Sequence, residues 1–422
     1  VGEHMSLSQL QQEADRCWKK MNCWQAKKAD KLNFSKSSAA GGVFLTGATG
    51  FLGAFLLQAL LQQLPTAKVY CLIRAHNAVE AQQKLRSSLK KYLSSAEINY
   101  GRIVPVMGDL TKPLLGMSEE QFQLVAHSVG TIYHSGANVN MFYPYAALKS
   151  ANVSGTLEVI RLAATGSSKI LHYISTLDVL ESLIKMGGDV FYEKDSIAQG
   201  DGIAGGYAQS KWIAEQLVQR AALGGLPVCI YRPGMVSGHS QQGDSNTNDV
   251  LCRFIKSLIQ LQVAPDLAMR VDMTPVDYVS KAIARLSSSP KAIGKVFHVV
   301  NPQPIGLNDM VATLQARGYA IAQIDYSKWL HQLYTRPNEL SALAAFTAQA
   351  TPEEQQTCLE LWLGGHYIFD CTHTKRRLKG ELINCPPADS KLLNSYLDYF
   401  VQKGFIPEAT AGPALFTAQL TY

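Results

Sequence analysis

None of the eight cysteines forms a Cys-x-x-Cys pair, and none of the ten histidines falls in a His-Glu-x-x-His. That removes zinc modules and metalloprotease chemistry, and no metal site is expected. Cys71 and Cys229 lie in apolar runs that read as buried strands, so the cysteines read as reduced thiols of a cytosolic protein rather than a disulfide framework. No apolar run approaches the roughly 20 residues of a membrane-spanning helix, and the opening VGEHMSLSQLQQEADRCW lacks the apolar core of a signal peptide. The expectation is a cytoplasmic protein with no membrane association. Charge is also scarce: charged residues make up 17% of the chain and the formal net charge is +6, with Lys and Arg scattered. Nucleic acid is therefore not an expected partner, whereas an acidic protein surface would suit the net charge.

What is present is length and apolar content: 422 residues, 47% hydrophobic, enough for a large buried core. Residues 5 to about 30 carry apolar side chains at helical spacing, and Ser35 to Gly42 is a small-residue linker, so 1–40 reads as a helical lead-in. Seven short apolar runs then alternate with amphipathic stretches, at 43–46, 68–74, 102–108, 131–136, 169–176, 227–233 and 295–301. Alternation of this kind predicts an α/β fold with a doubly wound parallel sheet over 41–301, including a substrate-site segment at about 234–270. After Asn301 the rhythm stops. Residues 302–422 read as a smaller, mostly helical subdomain for substrate and partner, with an insertion-like stretch around Ala348 to Gln356.

The first strand runs directly into Thr46-Gly47-Ala48-Thr49-Gly50-Phe51-Leu52-Gly53, and a helical pattern starts at once. A glycine turn between strand and helix lets backbone approach a pyrophosphate, while the helix start supplies N–H donors and partial positive charge. This is the dinucleotide site of a Rossmann fold, and Thr46, Gly47, Thr49, Gly50, Phe51, Leu52 and Gly53 are its expected contacts. The second strand ends on Arg74, where a site for NAD would carry Asp or Glu on the ribose hydroxyls. A guanidinium there suits a 2′-phosphate, so the expected cofactor is NADPH, with Lys84 or Arg86 adding a second contact. Asp109 and Leu110 after the third strand, and Ser135, Gly136 and Ala137 after the fourth, are expected along the adenine and ribose groove.

Carbonyl reduction needs a proton donor beside the developing oxyanion, and Tyr with Lys one helical turn on can provide it. The spacing Tyr-x-x-x-Lys occurs at Tyr145/Lys149, Tyr207/Lys211 and Tyr399/Lys403. Position selects Tyr207/Lys211, because it opens the helix after the strand ending in Ser175 and Thr176, at the carboxyl edge of the predicted sheet. Thr176 and Tyr207 would stabilise the oxyanion, Tyr207 would donate the proton, and Lys211 would hold the nicotinamide ribose and bias Tyr207. Ser175 is the alternative to Thr176, and Tyr145/Lys149 could line the pocket.

The segments TGATGFLG, IYHSGANVN, GGYAQSKWIAE, YRPGMVSG, SNTNDVL, TPVDYVSKAI and KGFIP resemble the thioester reductase domains that end nonribosomal peptide synthetases and hybrid polyketide assembly lines. The resemblance runs from about residue 40 to about 408, and extends to aminoadipate and carboxylic acid reductases of the extended short-chain dehydrogenase/reductase superfamily. It implies a domain of a larger synthetase whose substrate is an acyl or peptidyl thioester on the phosphopantetheine of a carrier protein, released as an aldehyde or reduced further to an alcohol. It also implies catalytic roles for Thr176, Tyr207 and Lys211, and cofactor roles for Gly47, Gly50, Gly53 and Arg74. Ser135, Lys84 and Met235 depart from the family pattern. The residues alone leave two other readings: a reductase or epimerase of a free small molecule such as a nucleotide sugar, and a non-catalytic NADP-binding scaffold. Lys256, Arg270, Lys375, Arg376 and Arg377 are candidates for docking an acidic carrier.

Overall fold

The computed structural model describes residues 4–20, 41–93, 98–141, 143–199, 202–339 and 365–409. The chain forms two compact units, one of residues 1–236, 274–302 and 367–385, the other of 237–273, 303–366 and 386–422. The boundary read from sequence at 301/302 lies beside one crossing between them. The contacts also group 237–273 with the second unit and return 367–385 to the first. The stretch at Ala348 to Gln356, and the lead-in beyond residue 20, lie outside the described residues.

In the first unit the seven predicted runs form one parallel sheet: β1 (Gly42–Thr46), β2 (Val69–Ile73), β3 (Ile103–Met107), β4 (Val129–His134), β5 (Ile170–Ile174), β6 (Val228–Pro233) and β7 (Val296–Val299). The spatial order is β7-β6-β5-β4-β1-β2-β3. The order reverses between β1 and β4, the switch point at which doubly wound sheets bind ligands. Strands such as VYCLI and ILHYI are apolar on both faces because helices cover both.

The longer helices of this unit are α1 (Leu7–Lys19), α2 (Phe51–Gln63), α3 (Ala78–Tyr92), α4 (Glu119–Ser128), α5 (Gly155–Ala164), α6 (Gly206–Leu223) and α7 (Val276–Ser287), with short helices that include Tyr145–Lys149, Glu181–Ile184 and Thr372–Leu378. On one face Leu56 and Leu60 of α2 and Val279 and Ile283 of α7 join Val43, Leu45 and Cys71 in one core. On the other, Phe122, Ile160, Trp212 and Leu217 join Phe44, Ile132 and Leu171. Starts are signed locally. Asn77 accepts the Glu80 amide at 2.9 Å, and Ser118/Gln121 and Ser6/Gln9 form capping boxes. Such caps contribute about 1 kcal/mol each.

The lead-in helix α1 belongs to this unit. Leu10, Ala14 and Cys17 are buried in the same core as α6, Asp15 pairs with Arg220 at 2.6 Å, and Met5 exchanges two backbone hydrogen bonds with Ile203 at 3.0 and 3.1 Å.

The second unit packs helices Val250–Leu261, Leu307–Ala316, Tyr326–Thr335 and Ser390–Gln402 around Phe254, Leu258, Leu314, Trp329, Leu393 and Phe400. It also contains two small strand pairs, Val263–Pro265 with Ala322–Ile324 and Arg270–Val271 with Ile305–Gly306. Among the described residues no helix is long and apolar enough to cross a membrane.

Candidate active site

The glycine turn sits at the switch point, and its three glycines do different work. Gly47 has φ +81°, in the left-handed region, and a Cβ there would lie 2.7 Å from the Gly136 amide nitrogen. At Gly53 a Cβ would lie 1.9 Å from the Gly47 carbonyl oxygen, so glycine is what lets α2 close against the turn. Gly50 is different: its φ is −85° and a Cβ would approach nothing nearer than 3.3 Å. At Gly50 the fold asks only that the Gly47 carbonyl give by a few tenths of an ångström, so the stronger demand for glycine lies on the exposed side, where a pyrophosphate would reach the start of α2. The residues present therefore fit a dinucleotide. Gly50→Ala should cost the fold no more than about 1 kcal/mol as a cap change while weakening dinucleotide binding. Gly53→Ala should destabilise by roughly 1–3 kcal/mol through overpacking. Thermal melts with dinucleotide titrations check both, and equal loss of stability in the two variants would contradict the division.

Beyond β2 a pocket of about 630 Å³ is lined by Thr49, Ile73, Arg74, Glu80, Gln83, Lys84, Ser87 and Ser88. Arg74 is exposed at its edge. Lys84 lines the pocket, but its ammonium pairs with Glu80 at 2.6 Å and donates to the Arg74 carbonyl at 2.9 Å. Lys84 thus braces the backbone that presents Arg74, which differs from a free second phosphate contact. Burial works to raise the Asp109 carboxyl, but hydrogen bonds from the Thr111 amide and hydroxyl, with the charge of Arg74, hold it below its ordinary range.

Two expected contacts are turned inward. Thr46 is fully buried; its hydroxyl accepts from the Gly136 amide at 2.9 Å and meets His134 Nδ1 at 2.8 Å. It acts by fixing the Ser135-Gly136-Ala137 segment beside the glycine turn. Phe51 packs edge-on against Phe55 and Tyr92, with centroids 5.5 and 5.3 Å away, so its ring serves the α2–α3 contact. Leu110 lies against Gly136 and Gly155, where a Cβ on either would meet it at 2.8 Å.

At the carboxyl end of β5, Thr176 caps the short helical turn that follows and accepts from the Asp178 amide at 3.3 Å. Ser175 is buried with its hydroxyl donating to Glu215, whereas Thr176 is half-buried and its hydroxyl also bonds the Asp178 carboxyl. Tyr207 is half-buried in the first turn of α6. Lys211, one turn on, is buried, donates to the Ile174 carbonyl at 2.8 Å, and lies 4.4 Å from the centre of the Tyr173 ring. Burial pushes the Lys211 ammonium down to about 7, against the opposing pull of Glu215 and Asp178. Burial likewise raises Asp178 to about 6. An ammonium whose charge is disfavoured by burial, one helical turn on from Tyr207, is suited to proton transfer.

The other two Tyr/Lys pairs have other uses. Tyr145 donates to Glu13 of α1 at 2.8 Å and Lys149 pairs with the same carboxylate at 2.7 Å, so this pair docks α1 rather than lining a pocket. In the second unit, Lys403 is exposed over the Tyr399 ring at 5.4 Å.

Sequence reasoning missed Asn152. It lies in a π-helical turn, Ser150–Ser154, just before α5. Asn152 accepts from the Asn138 amide at 2.7 Å and donates to the Asn138 carbonyl at 3.0 Å and to Ser210 Oγ at 2.9 Å. Ser210 in turn donates to the Tyr207 carbonyl at 2.7 Å. One amide thereby ties the loop after β4 to the first turn of α6. A π turn is a common sign of a functional position, but it leaves no pattern in a single sequence.

A glycine turn at the switch point, an arginine after β2, and Thr, Tyr and Lys around the end of β5 define an oxidoreductase of the extended short-chain dehydrogenase/reductase class. Residues 45–283, more than half of the chain, match the family described as Male sterility protein, an NAD-binding family, and the chain belongs to it as a reductase domain. It is similar to the terminal R domain from the myxalamid PKS-NRPS biosynthetic pathway, with 38% identity, a TM-score of 0.83, and coverage of 94% of this chain and 98% of that one. It is 37% identical over 365 residues to a linear gramicidin synthase polypeptide of Brevibacillus parabrevis, covering 85% of this chain and 7% of that protein. To L-2-aminoadipate reductase of Saccharomyces cerevisiae it is 36% identical over 316 residues, covering 71% of this chain and 23% of the yeast protein. The chain thus spans far less than two thirds of these curated relatives.

Proposed function

We propose that the chain catalyses NADPH-dependent reductive release of an acyl or peptidyl chain from the phosphopantetheine thioester of a carrier protein, giving an aldehyde. The observation that carries the reading is Lys211 donating to the Ile174 carbonyl at the end of β5, with Thr176 just after that strand and Tyr207 one helical turn before Lys211, one strand beyond the switch point that holds the glycine turn. When bound, NADPH supplies the hydride that adds to the thioester carbon. The hydroxyls of Thr176 and Tyr207 stabilise the oxyanion that results, and Tyr207 passes it a proton. Lys211 holds the nicotinamide ribose and places positive charge by Tyr207. The hemithioacetal then loses the carrier thiol and leaves the aldehyde, which a second round of reduction would convert to the alcohol.

Arg74 at the end of β2 is the basis for NADPH over NADH. The carrier partner, and a place within a larger synthetase in the cytoplasm, rest on the kinship with synthetase domains. The exposed Lys375 and Arg376, with half-buried Arg377, make the helix Thr372–Leu378 a basic surface of the first unit. Lys256 is paired with Glu339 at 2.7 Å and is a weaker docking candidate than exposed Arg270.

Steering by exposed charge is screened by salt. Catalytic efficiency with a carrier-bound thioester is expected to fall from about 50 to 500 mM salt, where the screening length shrinks severalfold, while that with a pantetheine-bound thioester changes much less. Charge reversal at Lys375–Arg377 should raise KM for the carrier-bound substrate alone. Equal responses of both substrates would place the electrostatic effect in cofactor binding or chemistry instead.

A further inference from the structure

Behind the catalytic groups lies a chain of buried polar side chains that the chemistry above does not use. Glu215 of α6 is fully buried, one helical turn beyond Lys211 and two beyond Tyr207. One carboxylate oxygen accepts from Arg232 of β6 at 2.6 Å and from Gln219 at 3.0 Å, and the other accepts from Ser175. Arg232, 1% exposed, has its next contact 3.4 Å away at His298 Nε2, and His298 is anchored to the Asp370 carbonyl at 2.9 Å. Burying an ion pair is weak ground for stability, since apolar residues of equal volume would serve the fold as well or better. Its placement gives the reason for it. Ser175 adjoins Thr176, and Glu215 shares a helix with Tyr207 and Lys211.

We propose that Glu215 is a positioning residue of the reductase site: clamped by Arg232, its carboxylate ties the end of β5, through Ser175, to the helix that carries Tyr207 and Lys211. The proposal rests on the catalytic reading of Thr176, Tyr207 and Lys211. A second consequence is electrostatic. The groups that face the Lys211 ammonium are Glu215 on its own helix, Tyr173 of β5, Asp178 of the turn after β5, and His134 of β4, which burial pushes down to about 3 and so keeps neutral. Of these, Glu215 and Asp178 favour the charged lysine, so removing the Glu215 charge must shift Lys211 toward its neutral form at lower pH.

The test uses Ser175→Ala, Ser175→Thr and Glu215→Gln in the full chain, with NADPH, a pantetheine-bound acyl thioester, thermal melts, and lysine-selective carbon-13 NMR across pH. Ser175→Ala is expected to lower kcat about tenfold with KM little changed, and Ser175→Thr, which keeps the hydroxyl, to recover most of it. Glu215→Gln is expected to lower kcat further and to move the Lys211 titration below its wild-type midpoint. Should Glu215→Gln not fold, the serine pair carries the test alone. Wild-type kcat in Ser175→Ala, or equal kcat in the alanine and threonine variants, overturns the proposal, as does an unmoved Lys211 titration in folded Glu215→Gln. Failure of the functional reading looks different: wild-type protein would not turn over the thioester, while the NMR titration would still report on Glu215.

Discussion

Tyr207→Phe should reduce turnover of a thioester by roughly 100-fold or more, the loss expected when a general acid is removed, while leaving NADPH affinity and thermal stability near wild type. The expectation follows from place. Tyr207 is half-buried at the first turn of α6, and Lys211, donating to the Ile174 carbonyl, sits one turn behind it. The two other tyrosines at the same spacing serve as controls with opposite behaviour. Tyr145→Phe removes a hydrogen bond to Glu13 and should lower stability by about 1 kcal/mol with little effect on chemistry. Tyr399→Phe, in the second unit, should leave chemistry alone. Near-wild-type turnover in Tyr207→Phe would mean that the proton comes from elsewhere.

Arg74→Ala should weaken NADPH by roughly 10- to 150-fold and NADH hardly at all. A guanidinium paired with a 2′-phosphate contributes about 1.5–3 kcal/mol, and NADH has no phosphate there to lose. Lys84→Ala is expected to have a smaller, indirect effect, because its ammonium is engaged with Glu80 and the Arg74 carbonyl. Fluorescence titration of both cofactors against the three proteins measures this. Wild-type protein that binds NADPH and NADH equally would overturn the role of Arg74.

The sheet was legible because its signals are local. Each of the seven apolar runs holds a strand of one sheet, the inner ones largely buried and the edge strand β3 mostly half-buried, and the glycine turn sits between the first strand and the helix that follows it, where spacing and context agree. Tyr207/Lys211 could be chosen among three equal spacings only by position, because it opens the helix after the strand that ends in Ser175 and Thr176. What the sequence hid are pairings between distant residues. Glu13 meets Tyr145 and Lys149 across more than 130 positions, and Ser175, Glu215 and Arg232 come from a strand, a helix and another strand. Asn152 depends on a π turn, a backbone irregularity with no composition of its own. The grouping of 237–273 with 303–366 was hidden for the same reason, since the small strand pairs that join them are only two or three residues long.

Hydride transfer to a thioester carbon is the reaction proposed for this site. The direct measurement is a single-turnover reaction of the protein with a pantetheine-bound acyl thioester and NADPH deuterated at the transferring position of the nicotinamide, with products read by mass spectrometry. Free pantetheine thiol and an aldehyde carrying one deuterium on its carbonyl carbon are expected, in step with NADPH consumed, and neither product with Tyr207→Phe on the same timescale. Free thiol with a carboxylic acid and no NADPH consumed, or NADPH bound with the thioester intact while a free sugar nucleotide or simple ketone is reduced, would contradict it.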